Sequence, residues 1–451
     1  MHRSLALLAR LAALALLAGC SVAPPAQTSR PEAAPPPASA QEPLVAPAPP
    51  AGAIELPPSV PLEVAPAQVD AVAPPRDLAA EGAEQRVDLR WRYDGDTRLV
   101  GYHVYRAEGE SGYYRKLTAR AHPRHLYSDF VGRNDVAMRY RVTAVRRAED
   151  GREVESPPSA TVTATPRAMS DGELMESVQR ASFRYFWDFG HPVSGLARER
   201  TGSGPQNDTV TSGASGFGLM NIVVGAQRGW VPRSAAAARV LAMLRFLEQA
   251  DRFHGAWPHW LDGRTGRVIP FSPDDDGGDL VETAFLIQGV LTVRQYFQGS
   301  DPVERELRET ATRLWRTVEW NWYRPRGEGN WLLWHWSPRV EWKLNHPIGG
   351  FNECLIVYLL AVASPTFPVP PELYRKGWAG GGGNYARERT VYGQKLWVGP
   401  DLGGPLFFTH YSFLGFDPRG WHDGFCNYFE NNRSIARIHH AYAVENPKKF
   451  K

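Results

Sequence analysis

A run of acidic residues is the part of this chain best equipped for chemistry. Five carboxylates fall within nine residues, in the segment Asp-Asp-Asp-Gly-Gly-Asp-Leu-Val-Glu that begins at Asp274. No lysine or arginine interrupts it, whereas an ordinary solvated acidic run is interleaved with basic residues. On a helix Asp279 and Glu282 share one face, and Asp275 continues it. Carboxylates gathered at one point, in a chain with 11% aromatic residues, indicate sugar chemistry.

Cleavage of a glycosidic bond defines what these carboxylates would have to do. One carboxylic acid protonates the leaving oxygen, and in an inverting enzyme a second carboxylate, about 6.5–9.5 Å away, activates a water molecule. Asp275, Asp279 and Glu282 are three candidates. Glu353 is the fourth, because it stands at the head of a very apolar segment, Cys-Leu-Ile-Val. We therefore predict that Glu353 is a distant partner of the acidic run.

Structural alternatives exist for each of these carboxylates. The residues Asp274–Asp276 fit the start of a helix, where acidic side chains cap the backbone and favour the helix dipole. Asp279 and Glu282 can serve as purely structural groups, and Glu353 as a buried salt-bridge partner. A calcium loop fails on spacing, because Phe285 stands at position twelve, where such a loop needs glutamate.

Tryptophans crowd the segment that follows the acidic run. Indole rings stack on the C–H faces of sugars, and the ring N–H can bond a hydroxyl. Trp315 lies on a predicted helix, so we expect it in the core, whereas Trp334, Trp336 and Trp342 lie on a predicted loop and are candidate sugar contacts. Seven tryptophans occur in this segment: Trp315, Trp320, Trp322, Trp331, Trp334, Trp336 and Trp342.

A second aromatic group precedes the acidic run. Trp257, His259 and Trp260 lie just before a hairpin-like Asp-Gly-Arg-Thr-Gly turn, and we predict that they also contact sugar. The histidines of the chain lack the spacing of metal ligands, so we expect neither a metal nor a cofactor. Gly213–Gly218 resembles a phosphate-binding loop only loosely, and close packing of helices explains its glycines better.

The elements that must position these residues are mainly helices. The 451 residues predict more than one domain. After Met169 the apolar period becomes helical, with Ser170 as a cap for the first helix. Successive helices joined by aromatic loops favour an α/α toroid. The first predicted helix carries Leu174 to Trp187, and the others span Ser215–Gln227, Ser234–Gln249, Leu280–Phe297, Val303–Trp320, Phe351–Ala363 and Asn427–Ala443.

A smaller β domain precedes the helices, over residues 74–167. Short segments of period two separated by turn residues predict a β-sandwich. The series Leu-Arg-Trp, Gly-Tyr-His-Val-Tyr-Arg and Tyr-Arg-Val-Thr-Ala-Val resembles a fibronectin type III domain. We expect Trp91 in its core and a role as a spacer or docking module.

Several motifs of the helical region, taken in order, are similar to the bacterial glycoamylase-like family. The resemblance runs from about Ser170 to the end and implies an all-α (α/α)6 barrel over residues 168–451. Its branch most like this chain, glycoside hydrolase family 144, hydrolyses β-1,2-glucan with inversion. The motifs are Ser215–Leu219, Arg228–Val231, Trp257–Asp262, Asp275–Ala284, Ala363–Thr366 and Leu406–Ser412.

The resemblance also implies roles for particular residues. The segment Asp275–Ala284 matches the acidic motif of the family, whose carboxylates matter for activity. Glu353 is implied as the general acid, and the base is either a carboxylate of the acidic run or one that lies beyond Lys451. His410 and Tyr411 match a family motif and are implied as substrate contacts.

The first residues resemble the signal peptide of a bacterial lipoprotein. A basic start and an apolar run are followed by Leu-Ala-Gly-Cys, which implies cleavage and lipid attachment at Cys20. Ser21 favours the outer membrane of a Gram-negative cell, by the same resemblance. Residues 21–73 are rich in proline and alanine and predict a disordered spacer.

The helix count raises a question about the barrel. An (α/α)6 barrel has twelve helices, whereas the sequence predicts seven. The chain therefore resembles a family member shortened at its C-terminus, with apolar helix faces left uncovered. We expect such a chain to fold poorly or to be inactive.

Charge and composition narrow the choice of function. The net charge is +3 without a long basic block, which does not favour nucleic acid. Our first hypothesis is a lipid-anchored glycoside hydrolase of β-1,2-glucan. The alternatives are a hydrolase of another glucan on the same fold and a non-catalytic glycan-binding protein. The sequence leaves the oligomeric state open.

Overall fold

The computed structural model describes residues 72–94, 98–201, 208–327, 329–380 and 385–450. The predicted leader with Cys20, and all but the last two residues of the predicted spacer, lie outside these ranges. Within them, no helix has both the length and the apolar character needed to cross a membrane.

A β-sandwich forms the first part of the described chain. One sheet has the order β1-β2-β5, and the other has the order β4-β3-β6-β7 with β8 paired to β6. Trp91 is buried between the sheets, with its ring edge against Tyr102 at 5.2 Å, as the alternating pattern predicts. The strands are β1 (Arg76–Ala83), β2 (Arg86–Arg92), β3 (Leu99–Glu108), β4 (Arg115–Lys116), β5 (Leu126–Phe130), β6 (Met138–Arg147), β7 (Glu153–Glu155) and β8 (Val162–Ala164).

Seven α-helices follow in the described chain, each close to a predicted one. Ser170 caps the first helix as predicted, because its hydroxyl and the carboxylate of Glu173 form a reciprocal capping box. The fifth helix ends at Arg316 rather than Trp320, and the hydroxyl of Thr317 bonds back to the Arg313 carbonyl there. The helices are α1 (Asp171–Trp187), α2 (Ser212–Gln227), α3 (Arg233–Gln249), α4 (Leu280–Tyr296), α5 (Pro302–Arg316), α6 (Leu355–Ala363) and α7 (Tyr428–Glu445).

Short antiparallel strands also occur between the helices, so the all-α expectation is not confirmed. The segments predicted as loops pair with one another, which satisfies backbone groups that a buried loop would leave without partners. The pairs are β9 with β10, β10 with β11, β12 with β14, β13 with β15 and β16 with β17. These strands are β9 (Thr209–Thr211), β10 (Trp260–Asp262), β11 (Val268–Ile269), β12 (Gly278–Asp279), β13 (Leu332–Leu333), β14 (His335–Trp336), β15 (Pro347–Ile348), β16 (Ala386–Val391) and β17 (Gln394–Val398).

Glycines let α2 and α4 touch through their backbones. A Cβ added at Gly216 would come within 2.1 Å of the Phe285 carbonyl oxygen, and one at Gly289 within 2.2 Å of the Gly216 oxygen. The close packing predicted for Gly213–Gly218 is therefore confirmed. Because α4 is almost wholly buried, this contact fixes where its first turn lies, and that turn carries Glu282, the last carboxylate of the acidic run.

Candidate active site

Asp279 starts helix α4. Its Oδ1 accepts hydrogen bonds from the backbone N–H groups of Val281 at 3.0 Å and Glu282 at 2.9 Å. The prediction that Asp274–Asp276 begin the helix is therefore wrong. The chain is still extended at Gly278, where β12 pairs with β14, so the helical backbone begins only at Leu280.

The other carboxylate oxygen of Asp279 lies among three ring nitrogens. Its Oδ2 is 3.2 Å from His259 Nδ1, 3.1 Å from Trp334 Nε1 and 3.6 Å from His335 Nε2. The side chain is 0% exposed. Burial alone would raise the pKa of Asp279, but the His259 hydrogen bond and the positive charge of His335 lower it. Asp279 therefore favours the ionised form, although it has no access to solvent.

Both histidines beside Asp279 favour the protonated form. Burial opposes the charge of His259, yet its bond to Asp279 and the nearby carboxylates raise its pKa to about 9. For His335, burial is outweighed by the Asp275 Oδ2 atom, 3.2 Å from Nε2, and by Asp279, which together raise its pKa. The buried anions are therefore balanced by imidazolium groups rather than by lysine or arginine.

Glu282 has the opposite electrostatic environment from Asp279. Part of its side chain stays open to solvent, and its Oε2 accepts a 3.0 Å hydrogen bond from the Gly213 N–H. Burial and then the charge of Asp279 raise the pKa of Glu282 to about 7. This carboxyl can therefore gain or lose a proton near neutral pH, which suits general acid–base catalysis.

Glu353 joins this group from the turn before α6. Its carbonyl accepts a hydrogen bond from the Ser412 hydroxyl, and its side chain is partly buried. Burial, followed by the negative charges of Glu282 and Glu353, raises the pKa of the Tyr411 hydroxyl. The two carboxylates therefore act on one phenol from two different elements. The catalytic pairing of Glu353 with the acidic run stays a prediction.

Tyr411 is held in place at this meeting point. Its ring lies 4.8 Å from Phe217 and 5.5 Å from Phe285, and its carbonyl accepts a 2.7 Å bond from the Gln288 side chain. The neighbouring His410 is exposed, and its Nδ1 is 2.6 Å from the Leu406 carbonyl. Of this predicted pair, only Tyr411 is shown near the carboxylates by these contacts.

The predicted tryptophans divide into different roles. Trp257 is 0% exposed, and its indole N–H bonds the Leu247 carbonyl at 3.1 Å, so its prediction as a sugar contact is wrong. Trp315 is buried as predicted. Trp334 donates its indole N–H to Asp279, while Trp260 donates to the Oε2 of Glu199 at 3.2 Å.

Trp336 and Trp342 pack against other aromatic rings. The Trp336 ring packs at 4.8 Å against His254, which in turn stacks on Trp322 at 3.6 Å. The Trp342 ring meets Tyr323 edge-on at 6.0 Å. These contacts make both tryptophans part of an aromatic wall beside the site, and their contact with sugar stays a prediction.

The first part of the acidic run is solvated and paired with basic residues. Asp274 lies 2.9 Å from Lys343 Nζ, and Asp276 lies 3.2 Å from Arg339 Nε. Asp276 also accepts a hydrogen bond from the Ser337 hydroxyl. The basic partners that the sequence lacks inside the run are supplied from the segment that follows β14.

Three donor groups lie close enough to hold a metal ion. One ligand atom each from Asp275, Asp279 and His335 lie within 4.8 Å of one another. The raised pKa of His335 accounts for the same cluster as an ion pair between an imidazolium and two carboxylates. The absence of a metal stays a prediction.

Sequence reasoning missed three contributors to the site, namely His335, Gly213 and Phe271. His335 carried a weak signal, because it stands between two predicted sugar-binding tryptophans. Gly213 was read as a packing residue, yet its N–H also holds Glu282, and a Cβ there would lie 2.3 Å from the Glu282 Oε2. Phe271 had no signal beyond its place in the loop before the acidic run.

This chain is similar to a family described as putative glucoamylases and to enzymes named for β-1,2-glucans. The family described as "Putative glucoamylase" matches residues 345–451. An exo-β-1,2-glucooligosaccharide sophorohydrolase (non-reducing end) from Parabacteroides distasonis is 41% identical over 396 residues, which cover 84% of this chain. The chain spans 54% of the length of that relative.

Two similar solved structures are also named for β-1,2-glucan. The crystal structure of a β-1,2-glucanase from Parabacteroides distasonis has a TM-score of 0.76 at 41% identity and covers 85% of this chain and 56% of its own. An endo-β-1,2-glucanase from Chitinophaga pinensis, in complex with sophorotriose and glucose, has a TM-score of 0.61 at 47% identity. That match covers 63% of this chain and 69% of the Chitinophaga chain.

Proposed function

The chain belongs to the glycoamylase-like family, and from this premise we propose that it is a glycoside hydrolase that cleaves β-1,2-linked glucan. The relatives that support the substrate are named for β-1,2-glucans, one as an exo-acting and one as an endo-acting enzyme. The observation that supports the proposal is the pair of partly exposed carboxylates Glu282 and Glu353, whose charges both act on the Tyr411 hydroxyl.

The contrast between Glu282 and Asp279 supports the choice of the base. Asp279 has both oxygens engaged, no exposed surface and a lowered pKa, so it can neither reach a substrate nor readily take up a proton. Glu282 is partly exposed, and burial of the rest of its side chain helps to raise its pKa to about 7, near neutral pH. We therefore assign Asp279 to positioning and Glu282 to proton transfer.

The proposed reaction is a single displacement with inversion. Glu353 gives its proton to the glycosidic oxygen as the bond to the anomeric carbon breaks. A water molecule attacks the opposite face of that carbon, and Glu282 accepts the proton that the water loses. Glu353 ends ionised and Glu282 ends protonated, so one proton exchange with solvent restores the site.

Asp279 and its imidazolium partners prepare the site for this step. The Asp279 anion holds the start of α4, which carries Glu282, and its charge keeps the pKa of Glu282 high. His259 and His335 keep the buried charge balanced at neutral pH. Trp334 closes the group by bonding Asp279 through its indole N–H.

Three predictions from the sequence accompany this function. The finer architecture that we propose is an (α/α)6 toroid, supported by the seven observed helices and by the family. The β-sandwich is proposed as a fibronectin type III-like spacer, and Cys20 as the lipid anchor to an outer membrane. These statements rest on sequence resemblance.

Release of reducing sugar from purified protein tests the function. The substrates are linear β-1,2-glucan, β-1,3-glucan and α-1,4-glucan, and we expect release from the first alone. Release from another glucan alone would move the substrate assignment. Binding of glucan without release would favour a non-catalytic glycan-binding protein, and Glu353→Gln with unchanged activity would remove the assigned acid.

A further inference from the structure

Phe271 presents an aromatic ring at the edge of the site. It follows β11, and 47% of the residue is exposed. Its ring lies 4.2 Å from the His259 ring and 4.8 Å from the Trp260 ring, so its inner side is packed while the rest faces solvent. Its backbone N–H donates a 2.9 Å hydrogen bond to the Asp275 carbonyl. The exposed ring is therefore fixed to the acidic loop.

Glu199 lies on the same edge, next to Trp260. Its Oε2 accepts the indole N–H of Trp260 at 3.2 Å, and its Oε1 accepts a 3.0 Å bond from Arg200. The side chain keeps 23% of its surface exposed. A carboxylate offers about four acceptor sites, so oxygens held by one donor each retain capacity for a hydroxyl group.

The charge of Glu199 acts on Glu282, one of the two proposed catalytic carboxylates. It contributes to the raised pKa of Glu282, after burial and the charge of Asp279, although it lies on a different segment of the chain. The hydrogen bond from the Glu199 N–H to the Thr209 carbonyl, at 2.9 Å, ties that segment to β9. Since β9 pairs with β10, which begins at Trp260, this edge is one connected surface beside Glu282.

We infer that Phe271, Trp260 and Glu199 form a sugar-binding subsite that adjoins the catalytic carboxylates. The chemistry it would recognise is one glucose unit of the glucan chain, with a C–H face on the Phe271 ring and a hydroxyl donating to Glu199. This inference rests on the proposed function and extends it. It predicts that removal of the Phe271 ring or of the Glu199 charge weakens substrate binding and leaves the chemical step unchanged.

The test is a comparison of KM and kcat in Phe271→Ala, Phe271→Leu and Glu199→Gln, on linear β-1,2-glucan and on a β-1,2-linked trisaccharide. We expect Phe271→Ala and Glu199→Gln to raise KM on the long glucan about five- to tenfold and to leave kcat within about twofold. Phe271→Leu keeps bulk beside His259 without an aromatic face and should show the same rise in KM. Tyr113→Ala, at a residue of the β-sandwich that is 77% exposed, is the matched control.

The KM and kcat split separates a subsite from a structural role. If Phe271 merely supports His259, the alanine variant will lower kcat on both substrates and the leucine variant will restore it, which overturns the inference. Unchanged KM in both Phe271→Ala and Glu199→Gln also overturns the inference. The proposed function still stands in that case if the wild-type protein hydrolyses the glucan.

Direct binding keeps the inference testable without turnover. Calorimetric titration of linear β-1,2-glucan into wild type, Phe271→Ala and Glu199→Gln measures affinity alone. If wild type binds but does not hydrolyse the glucan, the proposed function fails, and the subsite still stands if both variants weaken binding about five- to tenfold. If wild type does not bind this glucan at all, the inference fails together with the substrate assignment.

Discussion

The two ends of the acidic run carry the same type of charge in opposite surroundings. Asp274 and Asp276 lie in a solvated turn and pair with the cations of Lys343 and Arg339. Asp279, three residues after Asp276, instead contacts partly buried histidines, and Glu282, three residues further on, accepts a backbone N–H. The difference teaches that the type of partner, rather than the density of carboxylates, separates a surface turn from the proposed site of proton transfer.

The largest effect should follow removal of the Glu282 carboxylate, the group proposed to transfer the proton. We expect Glu282→Gln to lower kcat about 10²- to 10⁴-fold, because the amide cannot accept the proton of the attacking water. Reducing-sugar release on β-1,2-glucan measures it. Near-wild-type activity would mean that Glu282 differs from Asp274 and Asp276 in its surroundings but has no catalytic role.

Asp279→Asn tests the same comparison through the free energy of unfolding. The variant leaves protonated His259 and His335 beside a neutral amide, and breaking a buried ionic group costs about 3–5 kcal/mol. Chemical denaturation followed by circular dichroism gives the free energy of unfolding. A loss below about 1 kcal/mol would show that the imidazolium groups do not depend on this anion.

Stability against pH should distinguish Glu282 from its neutral analogue. The pKa of Glu282 is raised from 4.5 to about 7 in the folded protein, so its stabilising contribution is complete below pH 4.5 and is lost as pH rises through 7. At pH 9 the free energy of unfolding of Glu282→Gln should therefore exceed that of wild type by about 3 kcal/mol, and at pH 4 the two should be nearly equal. A difference independent of pH would contradict the raised pKa.

The pH dependence of the rate tests the role of Glu282. As a base it must be ionised, so kcat/KM should fall about tenfold for each pH unit below 7. Measurement on β-1,2-glucan between pH 5 and 9 gives this limb. A fall on the alkaline side, with the same midpoint, would instead make Glu282 the acid.

Asp274→Asn should have the smallest effect. Its partner Lys343 is solvated, and exposed ion pairs contribute about 0–1 kcal/mol. We expect unfolding free energy within about 0.5 kcal/mol of wild type and kcat within about twofold. This variant is also the matched control for Asp279→Asn, and an equal loss in both would remove the distinction between the two ends.

The parts of the fold and site that the sequence could predict are local or periodic. The seven helices follow from apolar periodicity, and Ser170 follows from capping chemistry. Glu353 was predicted as a partner of the acidic run from its apolar surroundings and from family resemblance. That pairing stays a prediction, supported by the charges of Glu353 and Glu282 that both act on Tyr411.

The remaining features depend on pairing between distant segments. The place of Asp279 as the cap follows from the pairing of β12 with β14, whose two-residue strands carry no periodic signal. The burial of Trp257 depends on an indole bond to Leu247 in α3, which no local pattern indicates. Sequence composition likewise cannot show that His335, rather than an arginine, neutralises Asp275.

The hydrogen bond from the Gly213 N–H to Glu282 couples the substitutions that are tolerated at two positions 69 residues apart. A methyl group at Gly213 would occupy the space of the carboxylate oxygen, so even the mildest substitution there acts on the reacting group. Natural selection for the proposed catalysis would therefore also constrain Gly213, although it has no side chain. In a set of related genes, Gly213 should vary only together with Glu282.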